Sequence, residues 1–231
     1  MIEREKLAPY LDLANHKENA TYDEIDSLCQ KVLDFGFNSA FLNPYFVKYA
    51  RQVLGDAGKI GTTIAFPLGQ DTIEDKIYSS LNAARDGANE LDVSTNVGLL
   101  KGGQDIKYFE EMKRLVTEVK AKYPAIVIKF IIEAGFLEPD EVKKASVLVL
   151  KSGADFVKTT SGMGPRGASL EDVKLIREAV GQKIKVKVAG GITTYEEAAA
   201  FIEAGADRIG TSKAVEIVTG SRGQSLGFSS E

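Results

Sequence analysis

Lysine is the residue type with the most chemistry to offer in this chain. Lys158 closes the run Ala154-Asp155-Phe156-Val157 and opens a small polar segment, Thr159-Thr160-Ser161-Gly162. A lysine held against an apolar wall beside a second cation loses the stability of its charged form, and its pKa falls. The neutral amine then attacks a carbonyl and forms a Schiff base, which draws electrons from the neighbouring C–C bond. Lys187, in the run Ile184 to Val188, is the candidate second cation. Asp92 is the candidate partner, a carboxylate that stays ionised beside the lysines and relays protons through a water. Each also has a plainer reading: a solvated lysine at a strand end, and for Asp92 an ion pair inside the core. Residue types alone leave both open. For Glu90 and Lys129 buried pairing is the preferred reading, because a buried charge needs compensation.

A second group of residues suits an anion. Ala189-Gly190-Gly191 lets backbone N–H groups approach closely, and Gly210-Thr211-Ser212 precedes a short final helix whose N-terminus favours negative charge. Gly-Gly alone is more often a simple turn. Thr160, Ser161 and Lys213 are further candidates for lining such a site.

The elements that position these residues are legible from spacing. Thr21-x-x-Glu24 and Thr194-x-x-Glu197 are capping boxes, and Ser169-x-x-Asp172 offers an analogous start. Ile25, Leu28, Cys29, Val32 and Leu33 follow the first box at helical spacing, with Gly36 as the stop. Short apolar or alternating runs separate the helices: Tyr10–Leu13, Ser39–Leu42, Ile60–Phe66, Glu90–Val93, Ile126–Ile132, Asp155–Val157, Ile184–Val188 and Arg208–Gly210. Gly87-Ala88-Asn89, Gly153-Ala154-Asp155 and Gly205-Ala206-Asp207 form a weak repeat, each ending a helix and opening a strand. Eight strands, each followed by a predicted helix, imply a parallel sheet closed as a single (β/α)8 barrel of class α/β. The alternative is an open doubly wound sheet, which lacks a GxGxxG here. One domain is expected over 1–218, with a flexible tail over 219–231. In a barrel, function collects at the C-terminal strand ends. Those ends are read as Asp12, Asn43, Asp92, Glu133, Lys158, Lys187 and the Gly210-Thr211-Ser212 corner.

Composition narrows the chemistry. The chain has 231 residues with 44% hydrophobic and 27% charged, a net charge of −4, one His, one Cys and no Trp. An acidic balance argues against nucleic acid. No run spans a membrane, and the charged N-terminus lacks a secretory core. A single cysteine, Cys29, fits a reducing cytoplasm and reads as core. With no metal-ligand spacing and one histidine, neither a metal site nor a cofactor is expected. His16 reads as an exposed loop side chain.

Taken together, the motifs resemble those of the deoxyribose-phosphate aldolase family of class I aldolases, almost end to end. Ala65-Phe66-Pro67-Leu68-Gly69 is similar to the family's G-F-P-x-G, and Glu90-Leu91-Asp92 with Asn96-Val97-Gly98 to its E-[IVL]-D…N-[IV]-G. KFIIEAG from Lys129 resembles K-x-I-I-E-T-G, and GADFVKTTSG from Gly153 resembles G-A-D-F-[IV]-K-T-S-T-G. KVAGGITT from Lys187 and RIGTS from Arg208 are similar to K-A-[SA]-G-G-[IV]-R-T and R-[IFL]-G-[AT]-S. The resemblance implies a barrel fold and reversible cleavage of 2-deoxy-D-ribose 5-phosphate to D-glyceraldehyde 3-phosphate and acetaldehyde, without a cofactor. It implies Lys158 as the Schiff-base lysine, Lys187 as the cation lowering its pKa and Asp92 as the proton relay. Gly162, Gly190, Gly191, Gly210 and Ser212 would hold the phosphate. The chain departs at Ala14, where the family has Thr, at Thr193 for Arg and at Ala134 for Thr; Thr160-Ser161 invert the usual pair. A homo-oligomer, dimer or tetramer, acting on a small phosphorylated sugar is the expected partner set. A phosphosugar aldolase of other specificity and a non-catalytic phosphosugar-binding barrel are the alternatives.

Overall fold

The computed structural model describes residues 2–220, so the tail expected over 219–231 falls, past Gly220, outside the described residues. Its strands are β1 (Leu11–Asn15), β2 (Ser39–Leu42), β3 (Ile60–Ile64), β4 (Glu90–Ser94), β5 (Val127–Ile131), β6 (Phe156–Lys158), β7 (Lys185–Ala189) and β8 (Arg208–Thr211). Each pairs in parallel with the next and β8 pairs with β1, closing the barrel. The helices are α1 (Tyr22–Phe35), α2 (Val47–Leu54), α3 (Ile73–Arg85), α4 (Val97–Lys101), α5 (Asp105–Lys122), α6 (Pro139–Ser152), α7 (Leu170–Val180), α8 (Tyr195–Glu203) and α9 (Ala214–Thr219). Alternation is therefore strict except after β4, where α4 and α5 follow in series. The first strand runs two residues further than its apolar run suggests, to Asn15.

Local chemistry explains where these elements start and stop. Thr21 accepts from the Glu24 N–H at 3.3 Å while the Glu24 carboxylate accepts from the Thr21 N–H at 3.0 Å, closing the first capping box. Thr194 and Glu197 close the other. Ser169 starts α7 as expected and accepts from the Glu171 N–H, and the Asp172 carboxylate, engaged by Arg166 at 2.6 Å, does not complete a capping box. The weak repeat has a physical cause in its third residue. Asn89, Asp155 and Asp207 each turn a side-chain oxygen back onto a backbone N–H of the preceding strand, at Ile60, Ile128 and Val186 (2.9, 2.8 and 2.7 Å). The side chain thus supplies an acceptor where the ladder begins.

The apolar core lies between barrel and helices: Leu11, Leu42, Leu91, Ile128, Val186 and Ile209 from the strands meet Ile25, Val47, Val116 and Ile176 from the helices. Cys29 is buried there, and burial pushes its thiol up to about 11. Inside the barrel the filling is different. Branched apolar layers are usual; here charged side chains from β1, β4, β5, β6, β7 and β8 meet beside the Phe41 ring of β2. Gly61 on β3 makes room for that ring, since a Cβ there would sit 1.9 Å from it. Among the described residues no helix is long and apolar enough to cross a membrane.

Candidate active site

Strand register brings the three principal candidates together. Asp92 lies opposite Lys129, and Lys158 lies opposite Lys187. Lys158 Nζ is 2.8 Å from Asp92 Oδ2, and Lys187 Nζ reaches the same oxygen at 2.8 Å. Lys187 also pairs with Asp12 at 2.7 Å, and Lys129 with Glu90 at 2.6 Å and Asp92 at 3.1 Å. Arg208 closes the network on Asp12 at 3.0 Å and Glu90 at 3.4 Å. Glu90 and Lys129 are thus a buried pair, as their alternation suggests.

The charge arithmetic of this network is instructive. Four cations (Lys129, Lys158, Lys187, Arg208) meet three carboxylates (Asp12, Glu90, Asp92) through these ion pairs. Loss of one proton leaves three charges of each sign. Lys158 is placed to give it up. Burial lowers its pKa to about 8, Asp92 opposes that fall, and Lys187 reinforces it. Of the two causes expected from the sequence, an apolar wall and a second cation, desolvation comes first. Lys129, by contrast, is raised, its burial outweighed by Asp92 and Glu90. Burial would raise the Asp92 carboxyl, but Lys129, Lys158 and Lys187 hold it well below the usual carboxylate range.

Lys158 and Lys187 open onto a cavity of about 900 Å³. Ser161, Gly162, Gly190, Gly191, Gly210, Ser212 and Lys213 line it, as does Thr193. The loops after β6 and β7 press together there: a Cβ on Gly190 would meet Thr160 Oγ1 at 2.8 Å and Gly162 Cα at 3.2 Å. Gly162, Gly190 and Gly191 all have positive φ (83°, 101° and 80°), which side chains other than glycine rarely adopt. Gly210 has a second role. A Cβ there would stand 3.1 Å from Lys187 Cε, close enough to press the lysine a few tenths of an ångström aside.

Other candidates stand behind the wall. Asp92 is wholly buried beneath the lysines, and Asp12, the second residue of β1 rather than its end, is wholly buried deep in the barrel. Thr160 donates to the Ala189 carbonyl at 2.7 Å, tying the β6 loop to β7. Glu133, with φ 49°, turns its carboxylate onto the Ser161 N–H at 3.1 Å and sets the same loop. Asn43 donates to the Lys17 carbonyl at 3.3 Å. Ala14 lines the cavity with no polar atom, and the Thr193 N–H is held by Glu197 at 2.8 Å. Ala134 is buried, its carbonyl accepting from Arg166 at 3.0 Å.

His16 corrects the sequence reading. It is half-buried and lines the cavity, its ring 5.4 Å from Phe66 and 6.1 Å from Phe41. Strand alternation carried on from Asp12 through Ala14 reaches His16 on the same face. That signal was available once β1 was known to run to Asn15.

The family model for DeoC/LacD family aldolases matches residues 8–227. The deoxyribose-phosphate aldolase of Carboxydothermus hydrogenoformans is 42% identical over 221 residues, covering 95% of this chain and 97% of that protein. The deoxyribose-phosphate aldolase of a Thermoanaerobacter species is 45% identical over 213 residues, covering 92% and 95%. Among solved structures, the tetrameric deoxyribose phosphate aldolase of Aeropyrum pernix superposes with a TM-score of 0.85 at 29% identity, over 94% of this chain and 91% of that one.

Proposed function

The chain belongs to the DeoC/LacD family of aldolases, and from that premise we propose that it cleaves 2-deoxy-D-ribose 5-phosphate reversibly through a Schiff base on Lys158. The observation that carries this reading is Lys158 itself: a buried amine, its pKa lowered to about 8, on the wall of the cavity and in register with Lys187. The neutral amine adds to the C1 aldehyde, and loss of water gives the iminium. Departure of the C3 hydroxyl proton lets C3 become a carbonyl as the C2–C3 pair forms the C1–C2 double bond and the C=N pair moves onto nitrogen. D-Glyceraldehyde 3-phosphate leaves, and the enamine remains on Lys158. A proton at C2 and then water release acetaldehyde and restore the amine.

Lys187 keeps the amine neutral by repulsion, and Asp92 orients Lys158 and stabilises the iminium charge. Three cations hold Asp92 ionised, so it relays protons through a water by hydrogen bonding, without storing one. The phosphate is assigned to the backbone of Gly162, Gly190, Gly191 and Gly210 with Ser212, and Lys213 adds a cation beside them. All line the same cavity. The tetrameric Aeropyrum relative supports a homo-oligomer, and the free buried Cys29 is in keeping with the cytoplasm.

Reductive trapping tests the reading. Acetaldehyde and borohydride should leave an ethyl group on Lys158 of the active protein, and Lys158→Ala should lose both the adduct and the cleavage of deoxyribose 5-phosphate. An unmodified Lys158, or a Lys158→Ala variant that turns over normally, refutes the mechanism. A cavity of about 900 Å³ is roomy, which favours testing other phosphorylated aldehydes as acceptors. A better acceptor than glyceraldehyde 3-phosphate would move the assignment to a phosphosugar aldolase of other specificity.

A further inference from the structure

His16 is the one histidine of the chain, and the mechanism above does not use it. Its position is well defined. It follows β1, the strand between β8, which carries Gly210, and β2. Its ring and the Lys158 ammonium flank the same Phe66 side chain, at 5.4 and 5.9 Å from the ring centroid. Among charged groups Lys158 acts on it most strongly, followed by Asp92 and Lys187, so it belongs electrostatically to the reacting lysine. Burial, aided by Lys158, holds its pKa down to about 4, and the imidazole is neutral at any working pH.

The two ring nitrogens differ. Nδ1 is enclosed and makes no hydrogen bond, with the Asn43 side chain the neighbour that favours a proton on the ring. The ring is nevertheless half-buried and lines the cavity, and with Nδ1 the enclosed nitrogen, Nε2 is the one left to meet a ligand there. Its neighbours on that wall, Ala14 and Phe41, carry no polar side-chain atom. A neutral imidazole there has nothing to neutralise, and its Nε2 can donate or accept one hydrogen bond. A hydroxyl, which does both, is the complementary group whichever tautomer is present.

We propose that His16 is a specificity-determining residue, whose Nε2 hydrogen-bonds a hydroxyl of the aldehyde that joins the enamine on Lys158. The proposal rests on the aldolase reading and deepens it. It makes the favoured acceptors 2-hydroxyaldehydes and places their recognition at the end of β1, apart from the phosphate cradle of β7 and β8. Sites that bind a substrate hydroxyl discriminate against the analogue that lacks it, because their own polar atom is then left unpaired.

The test compares two acceptors that differ by that one hydroxyl, 2-hydroxypropanal and propanal, with acetaldehyde as donor. The ratio of their kcat/KM values should fall about tenfold in His16→Leu, the worth of one neutral hydrogen bond. His16→Gln, whose amide nitrogen or oxygen stands near the place of Nε2, should recover most of the ratio. An unchanged ratio in His16→Leu, or a His16→Gln variant no better than His16→Leu, overturns the proposal. Borohydride trapping of acetaldehyde on Lys158, run on all three proteins, separates the possible failures. An adduct in every protein with an unchanged ratio refutes the role of His16 alone. No adduct in the unmutated protein removes the aldolase reading and this proposal with it. An adduct lost only in His16→Leu shows the ring acting on the lysine and overturns the recognition role.

Discussion

Lys158 is pushed in opposite directions by its two nearest charged partners, which makes their roles separable. Burial and Lys187 lower its pKa while Asp92 raises it. The reactive free amine therefore accumulates as pH rises through about 8, and the ascending limb of kcat/KM should lie there. Lys187→Met removes a lowering cause, so that limb should move to higher pH, though incompletely because desolvation remains. Asp92→Asn removes the raising cause, so the limb should move to lower pH while the rate falls. Stopped or steady-state pH profiles of both variants check the signs; limbs that move together would refute the assignment. Stability follows the same shift. Between about 8 and the ordinary lysine value of 10.5 the unfolded chain binds more protons than the folded one, so folding stability rises with pH across that window. Lys158→Met should accordingly raise the melting temperature at pH 7 and lose that advantage by pH 10, which thermal melts at the two pH values read directly. His16 shows the limit of reading single residues. Its neighbours in sequence, Asn15, Lys17 and Glu18, are those of a polar loop, and only the extra length of β1 turns it inward.

At the scale of elements, one glycine on each of two strands makes room for a side chain on its neighbour, by necessity at Gly61 and by a few tenths of an ångström at Gly210. Gly61 on β3 accommodates the Phe41 ring of β2, and Lys187 Nζ lies 3.6 Å from the centroid of that ring. Gly61→Ala should cost roughly 1–3 kcal/mol of stability by overpacking. Phe41→Ala in the same chain should relieve part of the clash while leaving a cavity, so chemical denaturation of the double variant tests the pairing. Gly210→Ala presses on Lys187 instead of on an apolar ring, and its expected signature is a shifted pH profile with the fold retained. The elements themselves were largely legible. Capping boxes, a helix-stopping glycine and the Gly-Ala-Asx repeat placed every strand boundary to within two residues of where it lies. Paired β4 helices were not legible, because α4 is a single short turn with no periodicity to detect. Nor was the cause of the repeat, an Asx side chain bonded to the preceding strand, which is a contact across tens of residues.

Across the whole molecule, the barrel interior is an ionic network in place of the usual branched layers. Burial would raise Asp12, Glu90 and Asp92, but their cations hold all three below ordinary carboxylate values. A carboxylate lowered on folding contributes stability that is fully present above its unfolded pKa and lost as pH falls toward the folded value. Stability should therefore hold steady through neutral pH and decline below about pH 4, the ordinary carboxylate range. Asp12→Asn should be destabilised at pH 7 by up to about 3–5 kcal/mol, since Lys187 and Arg208 each lose one of two buried carboxylate partners and keep only Asp92 and Glu90. Its melting temperature should also vary less between pH 4 and pH 2 than that of the unmutated protein. The sequence by itself determined the eightfold alternation, the starts of α1, α7 and α8 and the residue types of a lysine–lysine–aspartate site, because these are written in local periodicity and short motifs. Only the tertiary structure decided which charges share a proton balance, that desolvation outranks Lys187 in lowering Lys158, and that His16 faces the cavity. Those depend on strand register and enclosure, which bring together residues as far apart as Asp12 and Arg208.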